Sequence, residues 1–110
     1  MEKILQQILE EYDHINSKIF TPTRILILNL IQFHREGLQF RELKEGIKIS
    51  DGNLYSNLEL LKNLDLLESE KVQIDNKMLE IYTITEKGAQ ELAKIDSWLQ
   101  KLQKLKKWGK

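Results

Sequence analysis

The stretch "KISDGNLYSNLELLKNLDLLES", residues 48–69, constrains the fold of this 110-residue chain more than any other. Ser50-Asp51-Gly52-Asn53 is a helix-start signal. The Ser50 hydroxyl is placed to accept from first-turn amides, and Asp51 suits the positive end of the helix dipole. Leucines follow at 54, 58, 61 and 64. Positions three and four apart share one helical face, so these leucines must pack inward. A helix over about 51–64 therefore turns Gly52, Asn53, Tyr55, Ser56 and Glu59 outward. Between 50 and 68 its charges are Asp51, Glu59, Asp65 and Glu68 against a single Lys62.

The elements around this helix follow from periodicity and punctuation. Leu5, Ile8, Tyr12, Ile15 and Ile19 step by three and four, which predicts a first helix running to about residue 20. Thr21-Pro22 ends it, because proline lacks a donor and restricts the residue before it. Pro22 equally suits the first turn of a second helix, to about Glu36, with Ile25, Leu26, Leu28, Ile31 and Phe33 on its buried side. Gly37 is its stop signal. A short extended "LQF" and a helix over about 41–47, with Leu43 and Ile47 on one face, lead into the 51–64 helix. Two strand-like runs, "LLESEKVQI" and "MLEIYTI", then flank Asp75-Asn76-Lys77. Asp and Asn tolerate left-handed backbone, so this reads as a β-hairpin. Thr85 caps a last helix with Leu92, Ile95, Leu99 and Leu102 as its stripe and Trp98 and Trp108 beside it. Helix-turn-helix followed by a hairpin is the winged-helix order. The fold class expected is α+β, mostly α: a winged helix-turn-helix with flanking N- and C-terminal helices.

Three stretches carry a family resemblance: "TRILILNLI" (23–31), "FRELKEGIKISDGNLYSNLELLKNLDLLE" (40–68) and "YTITEKG" (82–88). The chain resembles small prokaryotic, often archaeal, winged-helix transcriptional regulators of the MarR and ArsR kind. The resemblance implies sequence-specific binding of double-stranded DNA, with the 51–64 helix in the major groove and the wing around 75–77 on the backbone or minor groove. It implies DNA contacts from Arg41, Ser50, Gly52, Asn53, Tyr55, Ser56, Asn57, Lys62, Lys71 and Lys77. Asn53 has the chemistry to pair bidentately with adenine. It also implies a homodimer built on the flanking helices, through Leu5, Ile8, Tyr12, Ile15, Leu92, Ile95, Leu99 and Leu102. The expected division is 1–20 for an N-terminal dimerisation helix, 21–85 for the DNA-binding domain and 86–110 for a C-terminal dimerisation helix.

This sequence departs from its relatives where they carry Lys, Arg or His, since positions 56, 57 and 59 are Ser, Asn and Glu. The alternative reading is a winged-helix protein-interaction module that does not bind DNA.

Charge and composition bound the remaining classes. Seventeen basic residues balance seventeen acidic ones, an unusual footprint for a nucleic-acid binder. The ends differ. Residues 1–16 carry four acids against one lysine, and residues 94–110 carry six lysines against one aspartate, so the two ends attract each other. There is no cysteine, which excludes disulfides and thiol catalysis and fits a reducing, cytoplasmic setting. No apolar run approaches the roughly 18 residues of a membrane span. His14 and His34 stand alone, without metal-ligand spacing. No nucleophile elbow or phosphate loop is present, so neither an enzyme, a metal nor a cofactor is expected, and nothing indicates a small-molecule effector.

Overall fold

The computed structural model describes residues 2–108, apart from the side chain of Trp108; the positions of Trp108 in the last-helix stripe and of Lys110 in the basic end lie outside the described side chains. The order is α1 (Glu2–Tyr12), α2 (Pro22–Phe33), β1 (Leu38–Gln39), α3 (Phe40–Ile47), α4 (Asp51–Asn63), β2 (Leu67–Ile74), β3 (Lys77–Ile84) and α5 (Glu86–Trp108). The three strands form one antiparallel sheet in the order β1-β3-β2. Leu38 of β1 pairs with Tyr82, and β2 pairs with β3 from Leu67↔Ile84 to Ile74↔Lys77. This is the winged-helix arrangement expected.

The hairpin is closed by two residues. Asp75 and Asn76 both have positive φ, at 51° and 63°. Two consecutive left-handed residues make the turn whose twist matches that of paired strands. Lys77, expected in the turn, is instead the first residue of β3.

One core unites the helices and the sheet. It contains Ile19, Ile27, Leu28, Ile31, Leu43, Leu54, Leu58, Leu61, Leu66, Tyr82, Leu92 and Ile95. The leucine face of α4 is its centre, since Leu54, Leu58 and Leu61 are fully buried. At about 1.5–3 kcal/mol for each such side chain, this face is enough to fix α4 against the rest of the domain.

The N-terminal helix is shorter than the periodicity predicts. It ends at Tyr12, and residues 13–20 fold as successive turns, with His14 N–H donating to Glu11 O (3.0 Å) and Ile19 N–H to Asn16 O (3.0 Å). Asp13, Asn16 and Ser17 offer the backbone local alternatives to the helix. Asn16 takes one directly, its Oδ1 accepting from Lys18 N–H at 3.0 Å. Ile19 is still buried, so the apolar spacing marked core contact without marking helix.

The second helix also differs in its buried face. Ile27, Leu28 and Ile31 point inward, whereas Leu26 and Phe33 are exposed, Phe33 by 82%. At 100° per residue, positions 26 and 33 lie within about 20° of each other on the far side from 27 and 31. The helix stops at Phe33 and not near Glu36, because His34 closes it. Its backbone N–H bonds both Leu30 O and Ile31 O, and its Nδ1 lies 2.8 Å from Leu30 O. A carbonyl only accepts, so Nδ1 carries the proton there. Gly37 then turns the chain at φ 92°, where a Cβ would meet Ile81 and the Tyr82 carbonyl at 2.6 and 2.7 Å.

Candidate nucleic-acid interface

The helix-turn-helix is built from local chemistry. Glu42 reaches back to accept from Gln39 N–H at 2.8 Å, opening α3. Lys48 ends it in the left-handed conformation, its N–H on Lys44 O. Ser50 then caps α4, Oγ accepting from Asn53 N–H at 3.1 Å. With the leucine face buried, the first two turns of α4 present Gly52, Asn53, Tyr55 and Ser56 to solvent, with Tyr55 55% exposed. Lys18 lines the same outer groove as Tyr55, Ser56 and Glu59, brought there by the turns that replace the end of α1. Periodicity placed residue 18 within a helix, which hid this position.

Asn57 does not belong to the exposed surface. It is only 8% exposed, and its amide is committed within the protein. Arg24 Nε donates to Asn57 Oδ1 at 2.8 Å. Asn57 Nδ2 donates to Asn53 O at 2.9 Å and to Asn53 Oδ1 at 2.8 Å. Arg24 Nη1 also donates to Lys18 O at 2.6 Å. The expectation that Asn57 contacts DNA is therefore corrected. The signal was present in the spacing, because position 57 sits three residues after Leu54 and four before Leu61, on the leucine side.

Two of the four acids on and after α4, Asp51 and Glu59, have lysine partners within the protein. Lys44 Nζ lies 3.5 Å from Asp51 Oδ1, joining α3 to α4. Lys62 lies 3.6 Å from Glu59 and 3.7 Å from Glu80, joining α4 to the wing. Lys62, expected to contact DNA, thus bridges Glu59 and Glu80 where α4 meets the wing. Glu80 also accepts from Ser69 Oγ–H at 2.7 Å and from the Tyr82 hydroxyl at 3.3 Å. The Ser69 bond, with Lys62, Tyr82 and Lys71 adding to it, holds the Glu80 carboxyl below its usual range against the opposing effect of burial. Burial, with the Glu80 charge beside it, pushes the Tyr82 hydroxyl far above its ordinary value.

Of the cations expected to contact DNA, Arg41, Lys71 and Lys77 lie exposed at the edges. Arg41 pairs only with its helical neighbour Glu45, at 3.2 Å and in full exposure. Such surface pairs contribute little, so a phosphate can displace the glutamate. Lys71 and Lys77 are exposed on the wing. Strand alternation puts Lys71 on the sheet face shared with Leu67 and Tyr82, and Lys77 on the opposite face. The two wing lysines therefore do not form one patch.

The flanking helices meet within the protomer. Trp98 Nε1–H donates to Ile8 O at 3.0 Å, and its ring packs against Tyr12 and, edge-on, against Phe20. Lys101 pairs with Glu11, so the opposite charges of the two chain ends do attract, here inside one chain. Ile8, Leu92 and Ile95 are buried by these contacts and by the core. That corrects their assignment as contacts between protomers. Ile15 and Leu102 are half-buried. Leu5, Tyr12 and Leu99 stay exposed, together with Leu9, which is 63% exposed.

Among the described residues no group of three His, Asp or Glu side chains could hold a metal ion, and no helix is long and apolar enough to cross a membrane.

Comparison with known proteins agrees with this geometry. The family described as "Winged helix DNA-binding domain" matches residues 23–103. An uncharacterised protein of Methanocaldococcus jannaschii is 36% identical over 72 residues, covering 64% of this chain and 77% of that protein. A transcriptional regulator homologue from Pyrococcus horikoshii superposes with a TM-score of 0.67 at 21% identity, covering 94% of this chain and 93% of that one. A PadR-like transcription factor from Bacteroides fragilis superposes at 0.65 with 25% identity, covering 74% and 82%. MepR from Staphylococcus aureus, in a structure with a bound oligodeoxyribonucleotide, superposes at 0.72 with 13% identity, covering 100% and 84%. With the family match spanning most of its length, the chain belongs to the winged-helix DNA-binding domain family.

Proposed function

We propose that this protein is a transcriptional regulator that binds double-stranded DNA sequence-specifically, with α4 in the major groove and the β2–β3 wing on the backbone or minor groove. The observation that carries the reading is the first half of α4. Its apolar face is fully buried, and its capped first turn offers Gly52, Asn53, Tyr55 and Ser56 on an exposed, uncharged surface. Gly52 has no neighbour within 4 Å of a Cβ position, so a phosphate or base edge can approach the backbone there. Arg41, Lys18, Lys71 and Lys77 supply phosphate contacts around it. The DNA-bound MepR and the PadR-like transcription factor support the same use of the fold.

In this reading residues 21–85 hold DNA, while 1–20 and 86–110 carry the contacts of a homodimer. The exposed apolar residues Leu5, Leu9, Tyr12 and Leu99 are what a second copy would cover. A two-fold dimer places two recognition helices about one DNA turn, roughly 34–36 Å, apart. Chemistry on a substrate has no place in this reading, and a cytoplasmic setting follows from the DNA partner.

The test is fluorescence anisotropy with duplex DNA at about 50 and 200 mM salt, where phosphate contacts express themselves. Binding should weaken steeply with salt. Arg41→Ala should weaken binding to all sequences and reduce the slope by about one phosphate contact. Absence of duplex binding at the lower salt would overturn the proposal in favour of a protein-interaction module.

A further inference from the structure

Arg24, Asn57 and Asn53 form a chain of hydrogen bonds whose polarity can run in only one direction. A guanidinium has donors and no acceptor. The Asn57 atom that meets Arg24 Nε at 2.8 Å must therefore be the oxygen. That turns Nδ2 of Asn57 toward Asn53, where it meets the backbone oxygen at 2.9 Å, a group that only accepts. Two independent partners thus agree on the orientation of the Asn57 amide, which the near-symmetry of an amide would otherwise leave open. The same Nδ2 reaches the side chain of Asn53 at 2.8 Å, so the Asn53 atom facing inward must be Oδ1. With Oδ1 held, Nδ2 becomes the outer atom of an exposed side chain at the start of α4. Arg24 is itself anchored at the other end by Lys18 O at 2.6 Å.

We propose that Arg24 is a positioning residue for base recognition, acting through Asn57 to hold the Asn53 amide with its donor outward and its acceptor half-occupied. This rests on the reading of α4 as the recognition helix. A free asparagine presents donor and acceptor in either order. One locked this way favours a base edge that accepts, and the purine N7 is the acceptor in the major groove common to adenine and guanine. The second lone pair of Oδ1 stays available to accept from the adenine N6 amino group. The expected ligand of Asn53 is therefore a purine, adenine above guanine, at one position of each half-site. Arg24 would set that preference without touching DNA.

The experiment uses the full chain. A binding selection from random duplexes defines the preferred site, and anisotropy then measures the affinity ratio between the preferred purine and each replacement at every position. Arg24→Met keeps the aliphatic stem and removes the donors. Asn57→Asp keeps a partner for Arg24 and removes the donor toward Asn53. Both should lower the ratio at one base pair by about tenfold, within the range for loss of one oriented bidentate contact. Using a ratio cancels charge effects that act on all duplexes alike. In the Asn53→Ala background, Arg24→Met should produce no further loss at that base pair. A role in folding alone would predict the reverse: equal weakening on every duplex, and additive loss in the Asn53→Ala background. Either result overturns the proposal. Side-chain amide NMR of Asn53 gives a second readout without DNA. Its two protons should shift toward free-asparagine values in both variants, and unchanged signals would also overturn it. If the wild type shows no salt-dependent duplex binding, the recognition reading itself falls and the proposal with it; wild-type binding that discriminates equally after Arg24→Met defeats the proposal alone.

Discussion

Gly88→Ala should destabilise this protein although helix propensity alone predicts the opposite. Gly88 lies in the first turn of α5, where alanine normally stabilises by up to about 1 kcal/mol over glycine. Here a Cβ would overlap the Leu66 carbonyl oxygen and approach Ile84 Cγ1 at 2.8 Å. The obstruction is backbone, so no rotamer change relieves it. The same Leu66 oxygen accepts from Thr85 N–H at 3.0 Å, while Thr85 Oγ1 donates to Asp65 O at 2.6 Å and accepts from Gly88 N–H at 2.9 Å. These bonds clamp the start of α5 to the turn that leaves α4. Relief of the overlap must stretch them. Overpacking costs about 1–3 kcal/mol, and a weakened hydrogen bond about 1 kcal/mol. After the propensity gain, the net loss is about 1–3 kcal/mol. Urea unfolding followed by circular dichroism should show a lower midpoint at an unchanged slope. Gly46→Ala is the control, since nothing lies within 4 Å of its Cβ position and it should be neutral or slightly stabilising. A Gly88→Ala variant as stable as wild type would refute the close approach, and so would equal shifts in both variants.

Two further outcomes are expected. The buried Tyr82 hydroxyl titrates above its ordinary value of 10.0 in the folded protein, so its neutral form is favoured there. Its contribution is complete below that value and falls as pH rises beyond it; urea midpoints of wild type should therefore drop relative to Tyr82→Phe above about pH 10, and parallel profiles would contradict the burial argument. Leu9→Glu places a charge on the exposed apolar face of α1 without touching the core. If the proposed dimer uses this face, sedimentation should show monomers, with an unfolding midpoint that is lower than wild type and no longer rises with protein concentration, whereas an intact dimer would move the interface elsewhere.

What could be read along the chain is what depends on neighbours three or four residues away. Ser50 as a cap, the inward leucines of α4, Thr85 at the start of α5 and the left-handed Asp75-Asn76 turn are all local chemistry, and all stand in the structure. The structure departs from the periodic pattern where local turns or long-range packing override it. Ile15 and Ile19 kept a helical spacing that turns reproduce, and Leu26 and Phe33 carried apolar side chains on a face the core never reaches. Ile8, Leu92 and Ile95 have the spacing of an interface stripe, yet their own protomer buries them.

The sequence by itself determined the order of elements, the capped helix and the hairpin, because periodicity, caps and turn residues act within a few positions of each other. Only the tertiary structure decided which polar groups are free. Arg24 and Asn57 are 33 residues apart, Lys62 meets Glu80 across the wing, and Lys101 meets Glu11 across 90 residues. Those pairings neutralise charges that look exposed along the chain and withdraw an asparagine that looks ready to read a base. They depend on which surfaces the buried leucines bring together, and long-range packing, not local propensity, sets that.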